Sequence, residues 1–273
     1  MIVVIDLETT GLDPTTAAIC ELATVTMTDK GTITGTFSTL VKPPHPIPPI
    51  ACGIHHITDD MVRNAPNITN ALLMASKAVG PEKRIYYAAH NAAFDSAFLP
   101  DLQNGCSGPM ASEPWLCTWR CAKHLWPEAP AHGNSVLRYW LPKLDEEICT
   151  ASKNYGMSFG VGNEAGFEGP MNFPPHRALP DAWVTAHILK RMLKIKLLTE
   201  LMELSYQPIL LRTCYLGEHY GKPWSEVPPS FCQWLLSKGP RRPNTNGGRD
   251  IGFDDDTRHT ALHYYSINQE KGK

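Results

Sequence analysis

The sequence predicts an α/β fold, a mixed sheet flanked by helices, with a small C-terminal module after it. Three observations carry this reading. An apolar β-run and a hairpin open the chain. Strand and helix patterns then alternate, which lays helices on the faces of a sheet with both antiparallel and parallel pairs. Near residue 205 the texture changes to a Pro- and Trp-rich segment, dividing the chain into residues 1–204 and 205–273. The 273 residues suffice for a sizeable core, and 42% hydrophobic with 19% charged residues excludes a fibrous or wholly disordered chain.

Ile2 to Ile5 is a fully apolar β-run that leads to a carboxylate, and Gly11 supplies a turn beyond it. ICELATVTMTDKGTITGTFSTLVKP follows, two Thr- and Val-rich runs joined at Asp29-Lys30-Gly31, the pattern of a hairpin. KPPHPIPP cannot enter a central strand because its prolines lack N–H donors, so it is an extended surface connection. From Thr58 and again from Thr69 the spacing turns helical, with Ala71, Leu72, Ala75 and Ala78 at helix spacing, and RIYYAAHN then reads as a buried strand. FDSAFLPDL is a short helix stopped by Pro100, WLCTW a strand end and CAKHLW a helix. Glycine and proline dominate from Gly156 to Pro175, which reads as a mobile loop; its GVGNEAG lacks the spacing and the leading strand of a nucleotide-binding glycine motif. Pro180 to Leu204 is the strongest helical pattern, with Lys190, Arg191, Lys194 and Lys196 towards its second half, where positive charge suits the helix dipole. These bases read either as a solvated helix end or as the candidates for contact with a polyanion. In the C-terminal module VPPSFCQWLLSK reads as a compact helix, so Trp224, Phe231 and Trp234 are expected in its core rather than on a base-stacking surface.

A net charge of −2 supplies no global positive field for nucleic acid, so any such partner must be held by a local patch or by metal ions. Apolar stretches are short and interrupted, and the N-terminus reaches Asp6 too soon for a signal-peptide core. A soluble, cytoplasmic protein with no membrane partner is expected. The eight cysteines are scattered through a chain large enough to need no disulfides. Cys117, Cys121 and His124 would share a helix face, but without a second paired Cys motif they read as core rather than as a zinc site.

Asp6 and Glu8 stand two apart at the end of a strand and so point to one face. Asp95 closes HNAAFD on the first turn of a short helix, and Asp181 begins the long helix, five residues after His176 in HRALPD. Each acid alone reads as a solvated strand end or as a carboxylate offsetting a helix dipole. Together, four carboxylates and a histidine at element ends can gather at one sheet edge only if a cation compensates them. A pair of Mg²⁺ ions about 3.5–4 Å apart does so while clamping the attacking and leaving oxygens of a phosphoryl displacement.

The strings DLETTG (Asp6 to Gly11), HNAAFD (His90 to Asp95) and HRALPD (His176 to Asp181), in this order, resemble the three exonuclease motifs of the DEDDh group in the DnaQ-like 3′→5′ exonuclease family. GIHHITDDMV and CTWRCAKHLWP between them look like that family too, particularly its exodeoxyribonuclease X-like members. LGEHYGKPWSEVPPSFCQWLLSK and DDDTRHTALHYY are similar to the C-terminal tail of those members. The resemblance implies a ribonuclease H-like fold. It implies that Asp6, Glu8, Asp95 and Asp181 hold two Mg²⁺ ions, with Mn²⁺ able to substitute, and that His176 is the general base. It further implies that Thr9 and Thr10 lie beside the terminal nucleotide, that Leu12 packs against its base and that Asn91 lies nearby. The tail departs from its relatives at Glu218, an acid where members often carry a base, which argues against a phosphate-binding role for that tail.

The expected function is removal of nucleotides from DNA 3′ ends with release of 5′-monophosphates, in repair or end trimming. A 3′→5′ exoribonuclease is the nearest alternative, because the same five residues hydrolyse either backbone and discrimination depends on a contact to the 2′-OH. A catalytically silent nucleic-acid-binding or polymerase-associated subunit would require a missing ligand, and all five positions are filled.

Overall fold

A computed structural model describes residues 1–81, 84–99, 114–154, 176–242 and 252–271. They divide into two compact units, Met1–Ser205 and Tyr206–Lys273. The Gly- and Pro-rich stretch up to Pro175, Pro100 itself and most of RRPNTNGG lie outside the described residues.

Unit one is built on a five-stranded mixed sheet in the order β3-β2-β1-β4-β5. β1 (Ile2–Thr9), β2 (Ile19–Met27) and β3 (Ile33–Leu40) pair antiparallel, whereas β4 (Tyr86–Ala89) and β5 (Leu116–Cys117) extend it in parallel. The β2–β3 hairpin turns at Asp29-Lys30-Gly31 as its sequence dictates. Gly31 takes a φ of 83°, a region open to glycine at little cost, and donates its N–H to the Thr28 carbonyl at 3.0 Å.

Strand alternation sorts the core into two layers. Ile2 and Val4 of β1 face one side with Ala23, Val25 and Met27 of β2, where α8 (Ala178–Leu193) packs through Ala182, Trp183, Ala186 and Leu189. Val3, Ile5 and Leu7 face the other side with Leu22, under Ala71, Leu72 and Ala75 of α3 (Ile68–Val79). Helix α3 starts where Asn67 accepts the Asn70 N–H at 2.9 Å. KPPHPIPP is extended as far as Pro48, but its last proline, Pro49, opens α1 (Pro49–His55) at the first helical position, where the missing N–H costs nothing. α2 is the single turn Asp59–Val62, and α4 (Ala92–Phe98) and α5 (Thr118–Leu125) follow β4 and β5. Two further helices, α6 (Asn134–Trp140) and α7 (Leu144–Asn154), precede α8.

The helix expected from Pro180 to Leu204 is instead two, α8 and α9 (Leu198–Tyr206). The Lys194 N–H turns back onto Arg191 O at 3.2 Å and the Ile195 and Lys196 N–H groups onto Met192 O, while Glu200 reaches back to the Leu197 N–H at 2.8 Å. That acid three residues into α9 is half of a capping box and restarts the helix.

Unit two has a small core of its own, Cys214, Trp224, Val227, Cys232, Leu235 and Ala261. Its helices are α10 (Pro229–Ser237) and α11 (Asp255–Lys271), the latter capped by Asp254, which accepts the Thr257 N–H at 2.9 Å. Trp224 is 1% exposed and lies in that core, whereas Trp234 is 46% exposed and does not. No helix among the described residues is long and apolar enough to cross a membrane.

Candidate active site

The alternation that sends Ile2 and Val4 towards α8 continues along β1, so Asp6 and Glu8 face the same side at the strand's end. α8 starts over that end of the sheet and carries Asp181 in its first turn. Asp6, Glu8 and Asp181 can each offer a carboxylate oxygen within 4.8 Å of the other two. Asp95 reaches the site from α4. It is buried and accepts the backbone N–H of Leu7, between the two β1 acids, and its charge acts on both of them.

Burial and mutual repulsion govern this cluster. Loss of water and then the Asp181 charge push Asp6 well above the usual carboxylate range; the same two causes take Glu8 up to about 8. Burial raises Asp95 to about 7, against the hydrogen bonds from backbone N–H groups. Asp181 is raised by burial too, while the His176 N–H, donated to its Oδ2 at 2.8 Å, works the other way. Hard oxygen donors that resist ionisation together are the donor set that Mg²⁺ or Mn²⁺ prefers, so these residues fit a divalent cation.

His176 is exposed at the mouth of this cluster, with a φ of 64°. Its backbone is fixed on one side by the bond to Asp181. On the other side Arg177 grips Glu21 of β2 through two bonds, Nε to Oε2 at 3.0 Å and a terminal nitrogen to Oε1 at 2.6 Å, while the Ala178 N–H donates to the same Oε2 at 2.9 Å. Glu21 lies directly across the strand pair from Glu8, so the Arg177 charge also partly compensates that acid. Sequence reasoning missed both residues. The available signal was one acid inside a nine-residue strand that is buried throughout, since a buried carboxylate needs a partner.

The turn after β1 holds the remaining candidates. Thr9 Oγ1 donates to Gly11 O at 2.7 Å, and Thr10 Oγ1 accepts the Ala18 N–H at 2.9 Å, so both hydroxyls are engaged in shaping the turn. Leu12 is 84% exposed at its tip. Asn91 is exposed in the left-handed region before α4, its carbonyl accepting the Phe94 N–H at 2.8 Å. His90, in the same motif, is structural. Its ring sits between Thr118 Oγ1 (2.9 Å) and the His132 carbonyl (2.7 Å), and burial takes it down to about 4.

The basic residues proposed as polyanion contacts sit elsewhere. Lys190, Arg191, Lys194 and Lys196 gather at the far end of α8, whose 16 residues span roughly 24 Å. The Lys190 stem packs on Gly31, Arg191 bonds Glu147 at 2.7 Å, and Lys196 pairs with Glu200 at 3.6 Å. Of the zinc trio considered above, Cys121 donates to the Leu201 carbonyl at 3.3 Å, its thiol pushed up to about 12 by burial.

Comparison with known proteins adds an independent line. The RNase T-type exonuclease family matches residues 3–189. Exodeoxyribonuclease 10 of Escherichia coli K12 is 31% identical over 242 residues, covering 87% of this chain and 91% of that protein. The DNA polymerase III subunit epsilon of Treponema pallidum is 36% identical over 127 residues, 46% of this chain and 57% of its own. Among solved structures, exonuclease X in complex with 5′ overhanging duplex DNA superposes with a TM-score of 0.52 at 29% identity, over 75% of this chain and 99% of that one.

Proposed function

The chain belongs to the RNase T-type exonuclease family, and from that premise we propose that it removes nucleotides one at a time from DNA 3′ ends, releasing 5′-monophosphates. The observation that carries this reading is the convergence of Asp6, Glu8 and Asp181 oxygens within 4.8 Å, with Asp95 alongside and His176 bonded to Asp181. Asp6, Glu8, Asp95 and Asp181 would hold two divalent cations, Mg²⁺ in the cell. When bound, such ions supply Lewis-acid activation of water and offset charge on the phosphoryl oxygens.

His176 acts as general base. A ring nitrogen takes the proton of the attacking water as the new O–P bond forms and the bond to the 3′ oxygen of the preceding nucleotide breaks in line. The Arg177–Glu21 pair and the Asp181 carboxylate hold its backbone. Leu12, projecting from its turn, packs against the terminal base, Thr9 and Thr10 shape the wall beside that nucleotide, and Asn91 flanks it. The setting is cytoplasmic DNA repair or end trimming.

Digestion of 5′-labelled single-stranded DNA, duplex DNA and RNA, with Mg²⁺ and with chelator, tests the proposal. DNA should shorten from its 3′ end only with the metal. RNA shortened faster than DNA would make the protein an exoribonuclease, and binding without cleavage would make it a silent subunit.

A further inference from the structure

We propose that unit two carries a contact surface for single-stranded polynucleotide, centred on Trp234 with Lys238, Arg241 and Arg242. Trp224 already fills the core of this unit, so the second indole is not needed there, and Trp234 remains 46% exposed. Its ring is nevertheless held in place. It stacks on Phe231 at 5.3 Å and 29°, and meets Phe253 edge-on at 5.9 Å. A rigid indole that is nearly half exposed is a platform on which nucleobases stack, at little entropic cost.

Cations surround it. Lys238 Nζ lies 5.3 Å from the Trp234 ring centre. The Arg241 N–H donates to the Phe253 carbonyl at 2.8 Å, which ties the Arg241-Arg242 segment to the same aromatic group. Lys238, Arg241 and Arg242 are exposed, and among the described residues none of them pairs with a carboxylate. Two acids of this unit are turned to internal work, while Glu218, Glu226 and Asp255 are exposed. Asp254 caps α11, and Asp256 accepts the Ile209 N–H at 2.8 Å.

Charge at unit scale points the same way. Tyr206–Lys273 holds nine Lys and Arg against seven Asp and Glu, a net of +2, whereas Met1–Ser205 holds sixteen against twenty, a net of −4. A polyanion is therefore attracted to the unit that does not carry the carboxylate cluster. Aromatic stacking combined with unpaired cations fits a single strand, whose bases are free to stack, and a duplex offers no such faces.

The inference rests on the exonuclease reading, and its test separates the two. The full chain is titrated, in chelator to prevent cleavage, with labelled single-stranded DNA of about 30 nucleotides and of about 4 nucleotides. Cleavage of the short strand is measured separately in Mg²⁺. Trp234→Ala is expected to weaken binding of the long strand roughly tenfold and leave short-strand cleavage unchanged, with Trp234→Phe restoring most of the affinity. The triple change Lys238→Gln, Arg241→Gln, Arg242→Gln is expected to lower the salt slope of long-strand binding by about 2, close to 0.7 per released phosphate contact. Unaltered long-strand affinity and salt slope in both variants, with wild-type cleavage intact, would overturn this inference alone. A wild-type chain that neither binds nor cleaves either strand would overturn the exonuclease reading and the inference with it.

Discussion

At the scale of single residues, the site is an arrangement of like charges that the fold alone does not compensate. Asp181→Asn and Asp95→Asn each remove one charge at almost constant volume, so the fold survives and cleavage in Mg²⁺ is lost. In chelator both variants should melt at or above the wild-type temperature, because the repulsion that Asp95 and Asp181 exert on Asp6 and Glu8 is relieved. Near-normal turnover in either variant, with Asp6→Asn inactive, would remove that residue from the ligand set. His176→Ala should differ in kind. Calorimetry is expected to show Mn²⁺ binding largely retained while single-turnover hydrolysis falls roughly 10²–10⁴-fold, the range of a lost general base. Loss of metal binding would place His176 among the ligands instead.

At the scale of elements, the decisive contact is the one that pins the start of α8 to β2. α8 has no side-chain cap of its own, and Glu21 supplies one from across the sheet by accepting the Ala178 N–H while holding Arg177. Glu21→Gln keeps the shape and one acceptor but strands the guanidinium. Losing one partner of a mostly buried pair costs about 3 kcal/mol, and the loosened helix start carries both His176 and Asp181. A lower melting temperature and a reduced kcat at nearly constant KM are expected. Adding Arg177→Gln to Glu21→Gln should cost little more, since the interaction is already broken. Two fully additive effects would show that the residues act separately. Patterning in the sequence made β1 and the β2–β3 hairpin legible, because alternation and a turn at Asp29-Lys30-Gly31 are local signals. It did not make the end of α8 at Leu193 legible, because a periodic apolar stripe runs on through the break and the Glu200 reach-back is a weaker mark.

At the scale of the whole molecule, the raised carboxylates tie stability to pH. Glu8 at about 8 and Asp95 at about 7 are protonated in the folded, metal-free protein over a range where the unfolded chain has already lost those protons. The folded state therefore binds more protons between about pH 4 and about pH 8, and stability falls as pH rises through that window. In chelator the melting temperature should drop by about 5–10 °C from about pH 5 to about pH 8. Saturating Mg²⁺ should remove most of the drop, since metal takes the place of protons. A metal-free melting curve that rises with pH would contradict the cluster's electrostatics. The two units have separate cores, and Ser205 closes unit one by accepting the Cys117 N–H and the Arg120 Nε–H. A chain ending at Tyr206, which keeps α9 whole, should fold cooperatively and still degrade short single strands in Mg²⁺. A soluble but inactive shortened chain would place a necessary residue in unit two.

What the amino-acid sequence determines here is local: which face of β1 bears Asp6 and Glu8, that Asp95 and Asp181 begin helices, and where the chain changes texture near residue 205. Periodicity and element ends are written in neighbouring residues, so they can be read without a fold. Only the tertiary structure decides what those residues meet. Glu21 and Arg177 are 156 positions apart and become a capping ion pair because β2 passes under the start of α8. Lys190 and Arg191, on the same helix as Asp181, end up committed to the hairpin and to α7 because α8 is long enough to carry them away from the carboxylates. Trp224 and Trp234 have the same chemistry and lie ten residues apart. One is core and the other is surface because a core of Trp224 and five small and medium residues has room for a single indole.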